Sequence, residues 1–154
     1  MSTVTVASVI ADLVAEQEAL DAVVTPLAAA DWDLATPSPR WAVRDQIGHL
    51  AFFDETAALA ISDPEGFIQH RTDFVAAAFA TPGAGDELTL GPARAMTAEE
   101  LLLHWRSCRN QLAAAAAECG EKDRIEWYGP SMGAKSFLTA RLMEAWAHGQ
   151  DICD

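Results

Sequence analysis

Positive charge is scarce in this sequence. Ten Lys and Arg stand against 23 Asp and Glu, a formal net charge of −13 with the histidines neutral. A chain this acidic repels phosphate backbones and anionic lipid, which argues against nucleic-acid and membrane partners. The acidity by itself serves solubility. Cysteine is sparse too: Cys108, Cys119 and Cys153 are odd in number, widely spaced and form no CxxC. That speaks against a disulfide framework and a thiolate zinc cluster, and suits reduced thiols in a cytoplasmic protein. The opening stretch "MSTVTVASVIADLVAEQ" has no basic region and meets Asp12 and Glu16 early. It reads as neither a secretory leader nor a membrane span. Val, Ile and Thr do not gather in alternating runs, so strands are disfavoured.

What is abundant is alanine, the best helix former, within a 51% apolar composition. The length suits one domain over 1–154 that buries roughly two-thirds of its unfolded surface. Apolar residues recur at helical spacing over 6–29, at Val6, Val9, Ile10, Leu13, Val14, Leu20, Val24 and Leu27. Pro37 and Pro39 break the chain before a second helix from Val43 to Ser62. A short helix over 67–80 and a loop over 81–96 follow. Thr97 and Glu100 form a capping box that starts a third long helix, running to about Cys119. A turn-rich connector, 120–133, leads to a last helix over about 134–152. The expectation is an all-α four-helix bundle with one extra short helix between long helices 2 and 3.

Polar residues interrupt this pattern. In "RLMEAWAHGQDICD" (141–154), Arg141, Glu144, His148 and Asp151 recur at steps of three, four and three. With Phe137 set at zero, Glu144 and His148 fall within about 20° of it, and Arg141 and Asp151 within about 40°. Apolar residues flank that line: Leu138, Ala145 and Ile152 on one side, Ala140, Met143 and Ala147 on the other. Lys135, Thr139 and Gln150 mark the opposite, solvent face. On the second helix Arg44, Glu55 and Ser62 mark the wet side, which turns His49 inward beside Gln46, Phe53, Ala57 and Ala60.

Two readings remain open. One is a hydrogen-bonded network in which Arg141 pairs with Glu144 and Asp151 orients His148. The other is a divalent metal held by His49, Glu144 and His148, since Glu and His at i, i+4 share a helix face. Of the remaining histidines, His70 reads as a surface residue. His104 reads as a half-buried residue with one partner, or a fourth ligand.

The residues also carry a family likeness. "RWAVRDQIGHLAFFDETA" (40–57) resembles a signature of the form W-[STA]-V-x-D-x-[IV]-x-H-L-x-x-x-[DE]. "GPSMGAKSFLTARLMEAWAHGQDICD" (129–154) resembles the matching R-x-x-E-x-W-x-H-x-x-D segment. Both are similar to the DinB-like metal-binding bundles, and more narrowly to the N-terminal domain of mycothiol-dependent maleylpyruvate isomerase and its uncharacterised relatives. The resemblance implies a four-helix bundle whose metal, usually zinc, is held at the positions of His49, Glu144 and His148. Arg141 and Asp151 would stand behind those ligands.

The same resemblance implies a metal that activates a low-molecular-weight thiol such as mycothiol. The expected function is thus a thiol-dependent transferase or isomerase acting on a small molecule. A non-catalytic metal- or ligand-binding module is the alternative, and a metal-dependent hydrolase a third reading, with Asp45 as a weak candidate base. Nickel and ferrous iron suit the same donors. Trp127 and Tyr128 are expected either to line a groove to the metal or to cap the bundle end. A homodimer is compatible with all of these.

Overall fold

Apolar stripes and local caps divide the chain into six helices and one small hairpin. They are α1 (Val6–Val24), α2 (Val43–Ser62), α3 (Pro64–Ala78), α4 (Ala84–Arg94), α5 (Ala98–Ala116), β1 (Arg124–Ile125), β2 (Met132–Gly133) and α6 (Ala134–Cys153). The structure is a computed structural model and describes residues 4–154, so the first three residues of the opening stretch lie outside it. Among the described residues no helix is long and apolar enough to cross a membrane. The three cysteines are free thiols.

Thr5 and Ser8 cap α1 reciprocally. The helix ends at Val24, earlier than its apolar pattern suggests, because Pro26 has no N–H to continue it. The chain then makes a 3-10 turn, Ala29–Asp33, that buries Trp32. α2 spans the range its pattern predicts. Its first turn is held by Asp45, which accepts from the Ala42 N–H at 2.9 Å and from Arg94 Nε at 2.8 Å. Thr97 and Glu100 cap α5 as expected. β1 and β2 pair antiparallel within the connector, in the register Arg124 to Gly133 and Ile125 to Met132.

The main departure is 81–96. Its glycines and prolines read as loop punctuation, yet 84–94 is helical. Gly83 enters it with φ 84, a left-handed conformation that glycine adopts without a Cβ penalty. Burial of Leu90 and Ala93 against α2 then overrides weak local propensity. Contact is so close that a Cβ on Gly48 would come within 2.5 Å of the Ala93 Cβ. The bundle therefore carries two extra helices, α3 and α4, between its second and third long helices, rather than one.

α2 packs most extensively on α5, and α1 on α6. The core falls into two apolar clusters. One contains Val9, Leu13, Ala57, Leu112, Phe137 and Leu138. The other contains Leu20, Val24, Ile47, Leu50, Leu101 and Trp105. Gln17 on α1 and Asp54 on α2 lie between them in chain order, Arg141 on α6 lies among residues of the first, and all three are buried. Gln17 Nε2 and Arg141 Nη2 each donate to Asp54 at 3.0 Å. This polar layer crosses the middle of the bundle and sets the height at which α2 and α6 meet.

Candidate metal centre

α2 and α6 also meet at His49. Its Nε2 lies 3.2 Å from Glu144 Oε2, and His148 Nε2 lies 3.1 Å from the same oxygen. The three residues predicted from helical spacing are therefore brought together. Their place is the flank of α6, away from the centre of its buried stripe. That stripe is Phe137, Leu138, Arg141, Ala145 and Gly149. Met143 and Trp146 are more than half exposed, so Met143 and Ala147 do not bury the second side of the Glu144 line. Small and apolar residues compete for the centre of the stripe, and the carboxylate is left at the rim. The Glu144 side chain is 43% exposed against 18% for His49 and 17% for His148, so the cluster opens to solvent through its carboxylate.

Behind the cluster is a chain of hydrogen bonds. Gln46 Nε2 donates to Thr36 Oγ1 at 2.9 Å and to Asp151 Oδ2 at 3.2 Å. Ser38 Oγ also donates to Asp151 Oδ2. Asp151, as a carboxylate, only accepts, which fixes the orientation of the Gln46 amide. Gln46 Oε1 must then face His148, and it accepts from His148 Nδ1–H. With the proton on Nδ1, the Nε2 of a neutral His148 presents its lone pair to Glu144. The expected control of His148 by Asp151 is thus exerted through Gln46.

Two aromatic rings wall the site. The Trp41 ring lies 5.2 Å from His49 and stacks on His148 at 5.8 Å, and Phe53 lies 4.6 Å from His49. Burial, the larger effect, pushes His49 below the ordinary imidazole range, which favours its neutral form. Where Nε2 of each ring carries a proton, hydrogen bonds from His148, then His49, hold Glu144 well below the usual carboxylate range. These directions oppose each other: the carboxylate wants donors on the rings, while burial strips the proton from His49.

A divalent cation would satisfy both demands. Two imidazole nitrogens and a carboxylate oxygen at roughly 2.0–2.2 Å from zinc would stand about 3.4 Å apart in a tetrahedral set. The observed 3.1 and 3.2 Å separations from Glu144 Oε2 fit that spacing, and the donor types are those of zinc, iron or nickel sites.

Several expectations change. Arg141 does not pair with Glu144; its guanidinium is committed to Asp54. Asp45 is no free base, being bound by Arg94 and the Ala42 N–H. His70 is half-buried rather than free on the surface. Its Nε2 meets the Tyr128 hydroxyl at 2.7 Å, within a group of rings that includes Phe52, Phe67 and Phe74. Trp127 and Tyr128 belong to that same group and reach the site only through Phe53. They pack against the first apolar cluster, with Trp127 stacked on Phe67 and edge-on to Phe137. His104 is not a fourth ligand here; it lies beside Cys108 on α5. Sequence reasoning turned Gln46 inward without giving it a role. Its position three residues before His49 was the available signal.

The family described as the mycothiol maleylpyruvate isomerase N-terminal domain matches residues 13–153. Two uncharacterised proteins from strains of Mycobacterium tuberculosis are 40% identical over 145 residues, 94% of this chain and 55% of theirs. The chain thus spans about half the length of these curated relatives. Crystal structures of mycothiol-dependent maleylpyruvate isomerase and of a mutant of it align with TM-scores of 0.74, at 14% and 13% identity. Those alignments cover 99% of this chain and 63% of the isomerase chains. At such identity the likeness establishes the fold.

Proposed function

This chain belongs to the mycothiol maleylpyruvate isomerase N-terminal domain family, and from that membership we propose that His49, Glu144 and His148 hold a divalent cation, zinc by preference, beside which a low-molecular-weight thiol such as mycothiol binds. The observation that carries this reading is the meeting of two imidazole nitrogens on one carboxylate oxygen, at 3.1 and 3.2 Å. When bound, the cation supplies stabilisation of the thiolate form of a thiol sulfur.

The chain's own residues do the rest. Asp151 and Ser38 lock Gln46, and Gln46 keeps the His148 proton on Nδ1 so that Nε2 is free to ligate. Glu144 contributes negative charge at the solvent-facing edge, where a small molecule can approach. Trp41 and Phe53 hold the imidazoles in place and keep water from their flanks. Arg141 stays with Asp54, so its positive charge does not neutralise Glu144 by direct pairing. A thiolate here would add to, or displace a group from, an electrophilic small molecule. Retention of the thiol gives a transferase; expulsion after bond rotation gives an isomerase.

The test is metal analysis of the purified protein followed by a thiol-consumption assay with mycothiol and an electrophilic substrate. The expected result is about one equivalent of zinc that His148→Ala loses relative to wild type, together with turnover that the same variant abolishes. Metal bound without any turnover would instead support a binding module. A preparation that takes up no divalent ion at the site would refute the reading.

A further inference from the structure

α2 carries a second potential ligand on its other side. Glu55 lies six positions after His49, about 120° further round the helix, and so faces α5 where His49 faces α6. On α5, His104 and Cys108 stand at i, i+4, one above the other. One ligand atom from each of Glu55, His104 and Cys108 lies within 4.8 Å of the other two. Cys108 Sγ is 3.7 Å from His104 Nε2 and 3.9 Å from Nδ1. A tetrahedral zinc with ordinary bond lengths would hold sulfur and nitrogen about 3.5 Å apart.

We propose that Glu55, His104 and Cys108 form a second divalent-cation site, selective for thiophilic ions such as zinc or cobalt(II), at the α2–α5 interface. It uses none of the residues of the His49 site. Its donor set is sulfur, nitrogen and oxygen from two helices, a combination that disfavours magnesium and calcium. Cys108 is 1% exposed, so its sulfur is an interior ligand. Glu55 is exposed and His104 half-buried, so the ion can approach from solvent on their side. Burial, then the negative charges of Glu55 and Asp54, push the free thiol up to about 12. The same carboxylates favour an incoming cation. On binding, the S–H bond breaks, its proton passes to solvent, and the sulfur–metal bond forms without any change of oxidation state. Because the ligands come from α2 and α5, occupancy clamps the most extensive helix contact in the bundle.

Cobalt(II) titration of the chelator-treated full chain separates this site from the first one. Thiolate ligation produces a sulfur-to-cobalt charge-transfer band in the near ultraviolet, and the His49 site contains no sulfur. The band should appear with about one equivalent of sulfur-bound cobalt, persist in His148→Ala and in a Cys119→Ser, Cys153→Ser double variant, and vanish in Cys108→Ser. His104→Ala should weaken cobalt binding, read on that band, by tenfold or more. This variant removes a half-buried ring and decides the matter if Cys108→Ser fails to fold. Absence of the band in the wild-type chain, its survival in Cys108→Ser, or unchanged affinity in His104→Ala would each overturn the site. Loss of the His49 site alone leaves these results untouched.

Discussion

His49 and Asp54 stand five residues apart on α2, and both meet α6, but in opposite ways. Asp54 finds a cation already built into the chain. Arg141 reaches it at 3.0 Å, Gln17 donates to its other oxygen, and the Asp54 and Arg141 side chains are 2% and 5% exposed. Trp105 Nε1 leans toward the same carboxylate without reaching hydrogen-bond geometry. Burial, the larger effect, raises the Asp54 pKa, and Arg141 works against that. His49 meets Glu144, one helical turn after Arg141, and finds an anion with two lone-pair donors converging on it. Among the described residues no Lys or Arg is hydrogen-bonded there. One cluster is complete within the chain and serves the fold. The other leaves a place for positive charge, and it is the one that opens to solvent.

The comparison can be broken in order of expected effect. Arg141→Ala strands a buried carboxylate and should cost about 3–5 kcal/mol of stability in urea unfolding, whether or not metal is present. Pairing it with Asp54→Leu should recover much of that loss. If Arg141→Ala unfolds at the wild-type urea concentration, the central layer is not the structural element described. Glu144→Ala and His148→Ala should behave differently. In chelator they should melt close to wild type. In a His104→Ala background, which weakens the second site, and with zinc at roughly a hundredfold above the Kd of the His49 site, they should lack the gain of about 2.7 kcal/mol that binding there confers on His104→Ala alone. A similar zinc-dependent rise in the melting temperature of these variants would assign the ion elsewhere.

Gln46→Leu sharpens the contrast further, since it leaves all three ligands and removes only the group that orders the His148 proton. Zinc affinity of the His49 site should fall about 10–100-fold by competition with a chelating dye, with the wild-type zinc stoichiometry kept at saturation. An unchanged affinity would show that the Asp151–Gln46 chain serves packing alone. Thr97→Ala lies outside both clusters and sets the scale for an ordinary local interaction. It should cost about 1 kcal/mol by loss of the α5 cap, with zinc affinity unaffected.

Much of this was legible before the structure. Val43–Ser62 and the Thr97 start follow from apolar period and local cap chemistry, which act over a few residues and leave a direct trace in the sequence. The three converging side chains were legible for a related reason: Glu144 and His148 share a helix face by spacing alone. What spacing does not carry is the partner across the interface. Arg141 was paired with Glu144, its neighbour on the helix, when its partner Asp54 lies on α2. Glu55 read as a marker of the wet side, and only α5 packing brings it near His104 and Cys108. α4 was missed because glycine and proline weaken local preference, while the burial of Leu90 and Ala93 that outweighs them is a contact with another helix.

By itself, then, the sequence determined the helices with strong periodicity, their caps, the acidic character and the chemical types available for a site. These depend on neighbours within one or two turns. Tertiary structure alone decided which buried charge is neutralised from inside, which cluster sits at the rim, and how Asp151 reaches His148 through Gln46. Those outcomes depend on the height and rotation at which α2 meets α6 and α5. Packing of the two apolar clusters sets these, and no local spacing encodes them.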